Sequence, residues 1–249
     1  MHSTLYWLQY FGHNLTIDRV NWQTPYQLTK NERALIVKPL QAWQLGETSD
    51  GRRLLEATAK YAAKQNDLHY YPAMQLFIKE EQKHGNNMGK YLDMIGEKRV
   101  KKNWADTAFR KVRNFNTSMQ AWTLAVITIE SGAQIFYQSL KDAAGCPLLK
   151  QICTDILIDE AKHIEFQQER FFIMYNRKSK LNKLVNYGIY TAFYFATMLV
   201  IWVTYRRLFK AGGNGLSEYL KQTKLKYKTV IASLRQQPVS YTKRPETVV

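Results

Sequence analysis

The sequence predicts an all-α protein, and three observations support this fold class. The 249 residues include only 12 glycines and 6 prolines, so long helices can run without interruption. Apolar residues recur at helical spacing along most of the chain, and no stretch shows the alternation typical of strands. Glycine or proline separates several successive helical segments, so the connections are short and neighbouring helices should run antiparallel.

The first half of the chain contains three predicted helices. Thr29 and Glu32 form a capping box before the first of them, which Pro39 should kink or split. The second covers about residues 50–66, and the third covers 71–96 and ends at a glycine.

The second half is predicted to be equally helical. A long helix over 117–143, capped by Asn116 or Thr117, ends near a glycine, and a proline begins the next helix. The remaining predicted helices are a short one at 104–113, then 147–175, 181–210 and a basic one at 216–235.

Two of the five histidines follow a glutamate in the same way. Glu81 precedes His84 by three residues, and Glu160 precedes His163 by three. Residues three apart on a helix share one face, so a carboxylate and an imidazole can bind one metal ion together. Both pairs interrupt apolar stripes that should face a core, which makes chance a weaker explanation than a metal site.

Two further glutamates complete a candidate ligand set. Glu130 is the only charged residue between Met119 and Leu140, and a carboxylate in so apolar a helix needs a cation. Glu56 is the only acid between Gly51 and Asn66, although nearby arginines offer it ordinary ion pairs. Each predicted hairpin would bring one of these glutamates level with a Glu-x-x-His pair.

This set resembles the ferritin-like di-iron carboxylate superfamily, in which two helices each supply a Glu and two others each supply a Glu-x-x-His. The resemblance covers about residues 50–176 and does not identify a subfamily. It implies an antiparallel four-helix bundle with extra N-terminal and C-terminal helices. Glu47 is the reserve candidate for the first helix, because the spacing from Glu56 to Glu81 is short. The implied metal ligands are Glu56, Glu81, His84, Glu130, Glu160 and His163, of which Glu81, with Glu130 or Glu160, bridges the ions.

The same resemblance implies a redox function and its cofactors. Hard oxygen ligands with one imidazole per metal suit two Fe ions, an Fe/Mn pair or two Mn ions. The catalytic carboxylates would be Glu81, Glu130 and Glu160, acting on dioxygen and a small, hydrophobic organic substrate with an electron donor. The alternatives are an iron-handling ferroxidase or non-catalytic metal-binding protein, and an RNA-directed hydroxylase. An arylamine N-oxygenase is less favoured, since Ile156 stands where that group has an extra histidine.

The chain is strongly basic, with a formal net charge of +16. Such a charge attracts an anionic partner, for which a membrane surface is favoured over nucleic acid. Residues 184–205 are uncharged and long enough to span a bilayer, with Lys178, Lys180 and Lys183 before them and further basic residues after. We expect a fifth helix covering the bundle, with a membrane-surface contact and then a true span as alternatives.

The expected organisation has three parts. Residues 1–48 pack on the bundle, 49–176 form the bundle, and 177–249 form a basic helical extension. Cys146 and Cys153 are too far apart on one helix for a disulfide, and the N-terminus lacks the features of a signal peptide. A cytoplasmic location follows, with a peripheral membrane contact as its alternative.

Overall fold

A computed structural model describes residues 1–102, 118–176 and 180–233, with the backbone alone at 180–186 and at 233. Within these ranges the chain is helical and contains no β-strand, which confirms the all-α prediction. The helices are α1 Thr4–Asn14, α2 Lys30–Glu47, α3 Arg52–Gln65, α4 Tyr70–Met94, α5 Met119–Ala143, α6 Pro147–Asn176, α7 Lys180–Ala211 and α8 Leu216–Ser233.

Local signals explain where several helices begin. The predicted capping box of α2 is present, since the Glu32 amide donates to Thr29 Oγ1 and the Thr29 amide donates to the Glu32 carboxylate. The helix runs through Pro39, so the predicted split does not occur. At α5 the cap is Ser118, whose hydroxyl accepts from the amide of Ala121. The predicted caps at 116–117 and the short helix at 104–113 lie outside the described residues.

Four helices form the bundle: α2, α4, α5 and α6. The predicted α5–α6 hairpin is present, with its turn at Ala144–Cys146, and its two helices form the most extensive helix–helix contact among the described residues. α4 packs against α2 and α6, and the rings of Trp43 on α2 and Phe136 on α5 stack 4.5 Å apart. Each helix therefore contacts two neighbours, and their apolar faces meet in a shared core.

The first bundle helix is α2, whereas the sequence prediction assigned that place to the helix at 50–66. α3 instead lies on the outside, against α4 and α5. The α2–α3 connection turns sharply at Gly51, which has a φ of +60° that favours glycine. The division at residues 48 and 49 stays a prediction, but the candidate site draws on both sides of it.

The C-terminal extension is a long helix, α7, with a kink at Tyr205, followed by the shorter α8. α7 packs on α5 and, over a smaller area, on α2, with Tyr190, Tyr194 and Met198 buried. The Tyr219 hydroxyl of α8 donates to the carbonyl of Met198 at 2.7 Å and holds the two helices together. Within the described residues, the segment Tyr187–Ala211 has the length and composition to cross a membrane, with a mean hydropathy of 1.4.

Candidate metal centre

The structure brings five of the six predicted ligands together in the bundle core. One ligand atom from each of Glu81, Glu130, Glu160 and His163 lies within 4.8 Å of the others. A second group shares Glu81 and adds His84 and Glu47 at the same mutual distance. Two adjacent groups with one carboxylate in common are the arrangement expected for a pair of ions with a bridging ligand.

The Glu-x-x-His spacing works as the sequence predicts. In α4 and α6 each pair lies on the inner face, and the rings of His84 and His163 are 5.7 Å apart between centroids. Glu160 lies between them: its Oε1 is 3.9 Å from Nδ1 of His84, and its Oε2 is 3.9 Å from Nδ1 of His163. Glu160 is therefore placed, like Glu81, to contact both metal positions.

Each histidine is held from behind by a carboxylate of the facing helix. His84 on α4 shares a hydrogen bond of 3.0 Å from Nε2 to Asp159 on α6. His163 on α6 shares one of 2.8 Å from Nε2 to Glu80 on α4. These bonds place the protonated nitrogen at Nε2 and leave Nδ1 of both rings directed at the cluster as the ligating atom.

Asn14 and Arg19 connect the two supporting carboxylates. The Asn14 side-chain amide donates 2.8 Å hydrogen bonds to both Glu80 and Asp159. Arg19 donates to Asp159 at 3.1 Å and also to the side-chain oxygen of Asn14. The end of α1 and the segment after it thus close this side of the site with a buried polar network.

The sequence pattern did not single out these supporting residues, although a signal was present. Glu80 directly precedes Glu81, and Asp159 directly precedes Glu160. In both Glu-x-x-His pairs, therefore, an acidic residue directly precedes the glutamate. On a helix the preceding residue is turned by about 100°, so it can contact the neighbouring helix instead of the metal.

Glu56 is not part of the cluster, and this corrects the predicted first-helix ligand. Its side chain is 59% exposed and pairs with Arg52 at 3.5 Å, one helical turn away. The reserve candidate Glu47 occupies the place instead. Gly85 allows this, since a Cβ there would lie 2.7 Å from a Thr48 side-chain carbon and 3.2 Å from the Glu47 carbonyl carbon. A glycine in α4 thus lets the end of α2 approach the site.

Tyr137 of α5 contacts the site through a residue of another helix. Its buried hydroxyl donates a 2.7 Å hydrogen bond to Oε1 of Glu47. Burial raises the pKa of Tyr137 well above its ordinary value, and the neighbouring carboxylates add to the effect. The phenol therefore keeps its proton and orients the carboxylate that α2 supplies.

Three buried polar atoms at the site have no hydrogen-bond partner among the described residues: both carboxylate oxygens of Glu160 and Nδ1 of His84. Nδ1 of His163 lies 2.7 Å from Oε1 of Glu81. Buried polar atoms are nearly always satisfied in proteins, and these converge on one small region. Metal ions between them would satisfy all of these atoms, so the residues present fit the metal pair that the ligand set implies.

The electrostatics of the site also call for cations. Burial raises the pKa of Glu130, and burial raises that of Glu47 and Glu160 well above the ordinary range, with neighbouring carboxylates adding to the shift in these two. For His163, burial lowers the pKa, but Glu81 and Glu80 more than offset it and the pKa is raised well above its usual value. A charged carboxylate cluster at this depth is stabilised only by positive charge.

A cavity of about 420 Å³ adjoins the cluster, and neither Asn14 nor Arg19 lines it. Its walls include the carboxyl groups of Glu47, Glu81 and Glu130. Most of the remaining wall is apolar and comes from α2, the start of α3, α5 and α7, for example Trp43, Leu54, Trp122, Ile129 and Ile201. The site therefore has a fully packed side and a side open to a small molecule.

These features define the fold as the ferritin-like helical bundle. The structural neighbours share it. An R2-like ligand-binding oxidase with aerobically reconstituted Mn/Fe cofactor matches at TM-score 0.63 and 16% identity, over 95% of this chain and 93% of that one. A tyrosine-to-phenylalanine variant of such an oxidase matches at TM-score 0.65 and 16% identity, over 96% and 95%. The variant with an anaerobically reconstituted cofactor matches at TM-score 0.62 with the same identity and coverage.

At the level of sequence, no family model and no curated protein matches the chain. The structural likeness spans nearly the whole of both chains but only 16% of aligned residues are identical. It therefore establishes the fold, and the roles of individual residues rest on the geometry described above.

Proposed function

We infer that the protein is a di-metal oxidase that uses dioxygen to oxidise a small, apolar organic substrate. The observation that carries this inference is the cavity, because its wall contains three of the four clustered glutamates and is otherwise mostly apolar. A substrate held there would lie directly against the clustered carboxylates.

The donor set supports iron or manganese. Four carboxylates and two imidazoles make a mostly hard ligand set, which suits these metals better than zinc. The structural neighbours carry an Mn/Fe cofactor on the same fold, which supports either a mixed pair or two iron ions here. When bound, such a pair supplies electrons to dioxygen and creates an oxidant strong enough for a C–H bond.

The chain's own residues have separate tasks in this proposal. Glu81, Glu130, Glu160 and His163 would hold one ion, and Glu47, Glu81 and His84 would hold the other. Glu160 lies 3.9 Å from Nδ1 of both imidazoles and could contribute to either ion. Asp159 and Glu80 keep the two imidazoles directed inward. Tyr137 donates a hydrogen bond that orients the Glu47 carboxylate, and the apolar cavity walls would hold the substrate beside the cluster.

The overall reaction must balance. Insertion of one oxygen atom into a C–H bond converts the second oxygen atom to water, and this consumes two protons and two electrons beyond those of the substrate. A separate electron donor must therefore dock on the protein. The alternative of iron oxidation alone requires no organic cavity, so the cavity favours the oxidase.

Free Cys146 and Cys153 support the proposed cytoplasmic location.

Filling the cavity tests the proposal. Ala125 lines it and is buried, whereas Ala59 of α3 is exposed and serves as a matched control. Ala125→Phe should leave iron and manganese binding unchanged and abolish substrate-dependent dioxygen uptake, and Ala59→Phe should change neither. Candidate substrates are screened as small apolar compounds with an oxygen electrode. Uptake that survives in Ala125→Phe with every active compound would contradict the cavity as the substrate site.

A further inference from the structure

The outward side of α7 is apolar over several turns. Ile189, Ala192, Ala196, Leu199, Val200 and Val203 are all exposed, and we call this row the outer face of α7. Leu199 is 54% exposed and Val203 is 53% exposed. The steps between these residues repeat at helical spacing, so they form one continuous strip. Contiguous exposed apolar surface of this kind marks an interaction site in soluble proteins.

The C-terminal end of the outer face is basic, because Arg206, Arg207 and Lys210 are exposed there. The sequence of α7 contains no acidic residue. An apolar strip that ends in a group of cations is complementary to a surface with negative headgroups and an apolar interior.

The outer face is also continuous with the cavity beside the metal centre. Val200 belongs to the outer face and lines the cavity, together with Thr197 and Ile201 of the same helix. Arg52 and Arg53 line the cavity as well and are exposed, so the cavity reaches the surface where α3 begins. An apolar molecule that arrived along the outer face would meet the cavity without passing through water.

We propose that the outer face of α7 docks this protein on an anionic lipid surface, with α7 lying along the surface. The cavity then takes its substrate from the lipid phase, a second statement that rests on the proposed oxidase function. A second copy of the chain is a poorer occupant, since it carries the same charge of +16 and the same basic C-terminal end of α7. A transmembrane span is also disfavoured, because it would remove the buried Tyr190 and Tyr194 from their packing.

Vesicle co-sedimentation with the full chain tests the docking. Vesicles of phosphatidylcholine, with and without phosphatidylglycerol, are mixed with the metal-free and the metal-loaded protein. Binding should require phosphatidylglycerol, weaken as salt rises and not depend on metal. Because metal is not needed, a failure here leaves the oxidase proposal intact, and a failure of dioxygen uptake leaves the docking result intact.

Matched substitutions locate the surface. Leu199 does not line the cavity, so Leu199→Glu should leave metal binding unchanged and weaken vesicle binding by at least about tenfold, as expected for a buried leucine side chain. Leu68→Glu is the control, since Leu68 is 84% exposed at the turn between α3 and α4. Vesicle binding that Leu199→Glu leaves unchanged would overturn the assignment to α7.

The basic end has its own pair of variants. Arg206→Gln with Arg207→Gln should weaken binding to phosphatidylglycerol vesicles about thirtyfold, and Lys60→Gln with Lys64→Gln on α3 should not. Three results would overturn the proposal: no vesicle binding, a dimer that Leu199→Glu converts to monomers, or vesicle-bound protein that only detergent releases. The dimer would identify the outer face as a contact between copies, and the detergent result would identify α7 as a membrane span.

Discussion

The two sides of the candidate metal centre are built in opposite ways. On the histidine side, His84 and His163 are fully buried, and the Nε2 atom of each is bound to Asp159 or Glu80. On the cavity side, the carboxylates of Glu47, Glu81 and Glu130 face open space, with Tyr137 bound to the first of them. The histidine side is therefore suited to holding ions in place, and the cavity side is suited to admitting a reactant.

The helices added to the bundle account for this difference. α1 packs against α4 and ends at Asn14, which closes the histidine side with a hydrogen-bonded network. α7 covers the cavity side, but its Thr197, Val200 and Ile201 leave a cavity against the bundle. One addition seals the site and the other leaves it open, so the direction of substrate entry is set by the extensions and not by the bundle.

The largest expected effect comes from breaking the histidine side directly. His84→Ala with His163→Ala should lower the metal content from about two ions per chain to background, because each ion loses its only imidazole. Most helix content should survive, since the bundle core is apolar. His13→Ala with His69→Ala is the control, as neither residue lies in the cluster. Metal analysis and circular dichroism check this, and full metal occupancy in the first variant would disprove the site.

A smaller effect should follow from loosening the same side without removing a ligand. In Asp159→Asn the amide supports His84 less well than the carboxylate does, so metal affinity should fall by about 10- to 100-fold. Asp142→Asn makes the same chemical change at an exposed position of α5 and should have no effect. Competition with a chelator measures both affinities. Equal metal affinities of the two variants would show that Asp159 has only a structural role and does not support metal binding.

The smallest effect is expected at the hydrogen bond from Tyr137 to Glu47 on the cavity side. Tyr137→Phe removes the donor to Glu47, so metal affinity should fall by less than about tenfold. The unfolding free energy of the metal-free protein should fall by about 1 kcal/mol. Tyr91→Phe is matched, since its buried hydroxyl bonds Cys146 away from the site. Denaturant titrations compare the two, and a loss as large as that of Asp159→Asn would contradict the contrast between the two sides.

Most of the fold follows from the sequence because helix periodicity and caps are local signals. The α5–α6 hairpin, the capping box of α2 and both Glu-x-x-His pairs are all visible in short windows. Which of two neighbouring helices enters the bundle is not a local property. Glu47 and Glu56 lie nine residues apart, and the choice depends on the turn at Gly51 and on the space that Gly85 leaves in α4.

The residues that support the two histidines could be predicted from the sequence only in part. The acids before each Glu-x-x-His pair are a readable signal, since both helices repeat it. The roles of Asn14 and Arg19 cannot be predicted from a sequence pattern, because these residues reach the site only through the packing of α1 on α4 and α6. The contact of Tyr137 on α5 also depends on tertiary packing, because its partner Glu47 lies on another helix.

The central claim is that Glu47, and not Glu56, completes the carboxylate set. The most direct measurement is the number of iron or manganese ions bound per chain in Glu47→Gln and Glu56→Gln, each titrated beside the unaltered protein. Both variants remove one carboxylate charge and keep the side-chain shape. We expect about two ions per chain for the unaltered protein and for Glu56→Gln, and about one for Glu47→Gln, since the position it shares with Glu81 and His84 loses a ligand. Normal loading of Glu47→Gln together with reduced loading of Glu56→Gln would contradict this account.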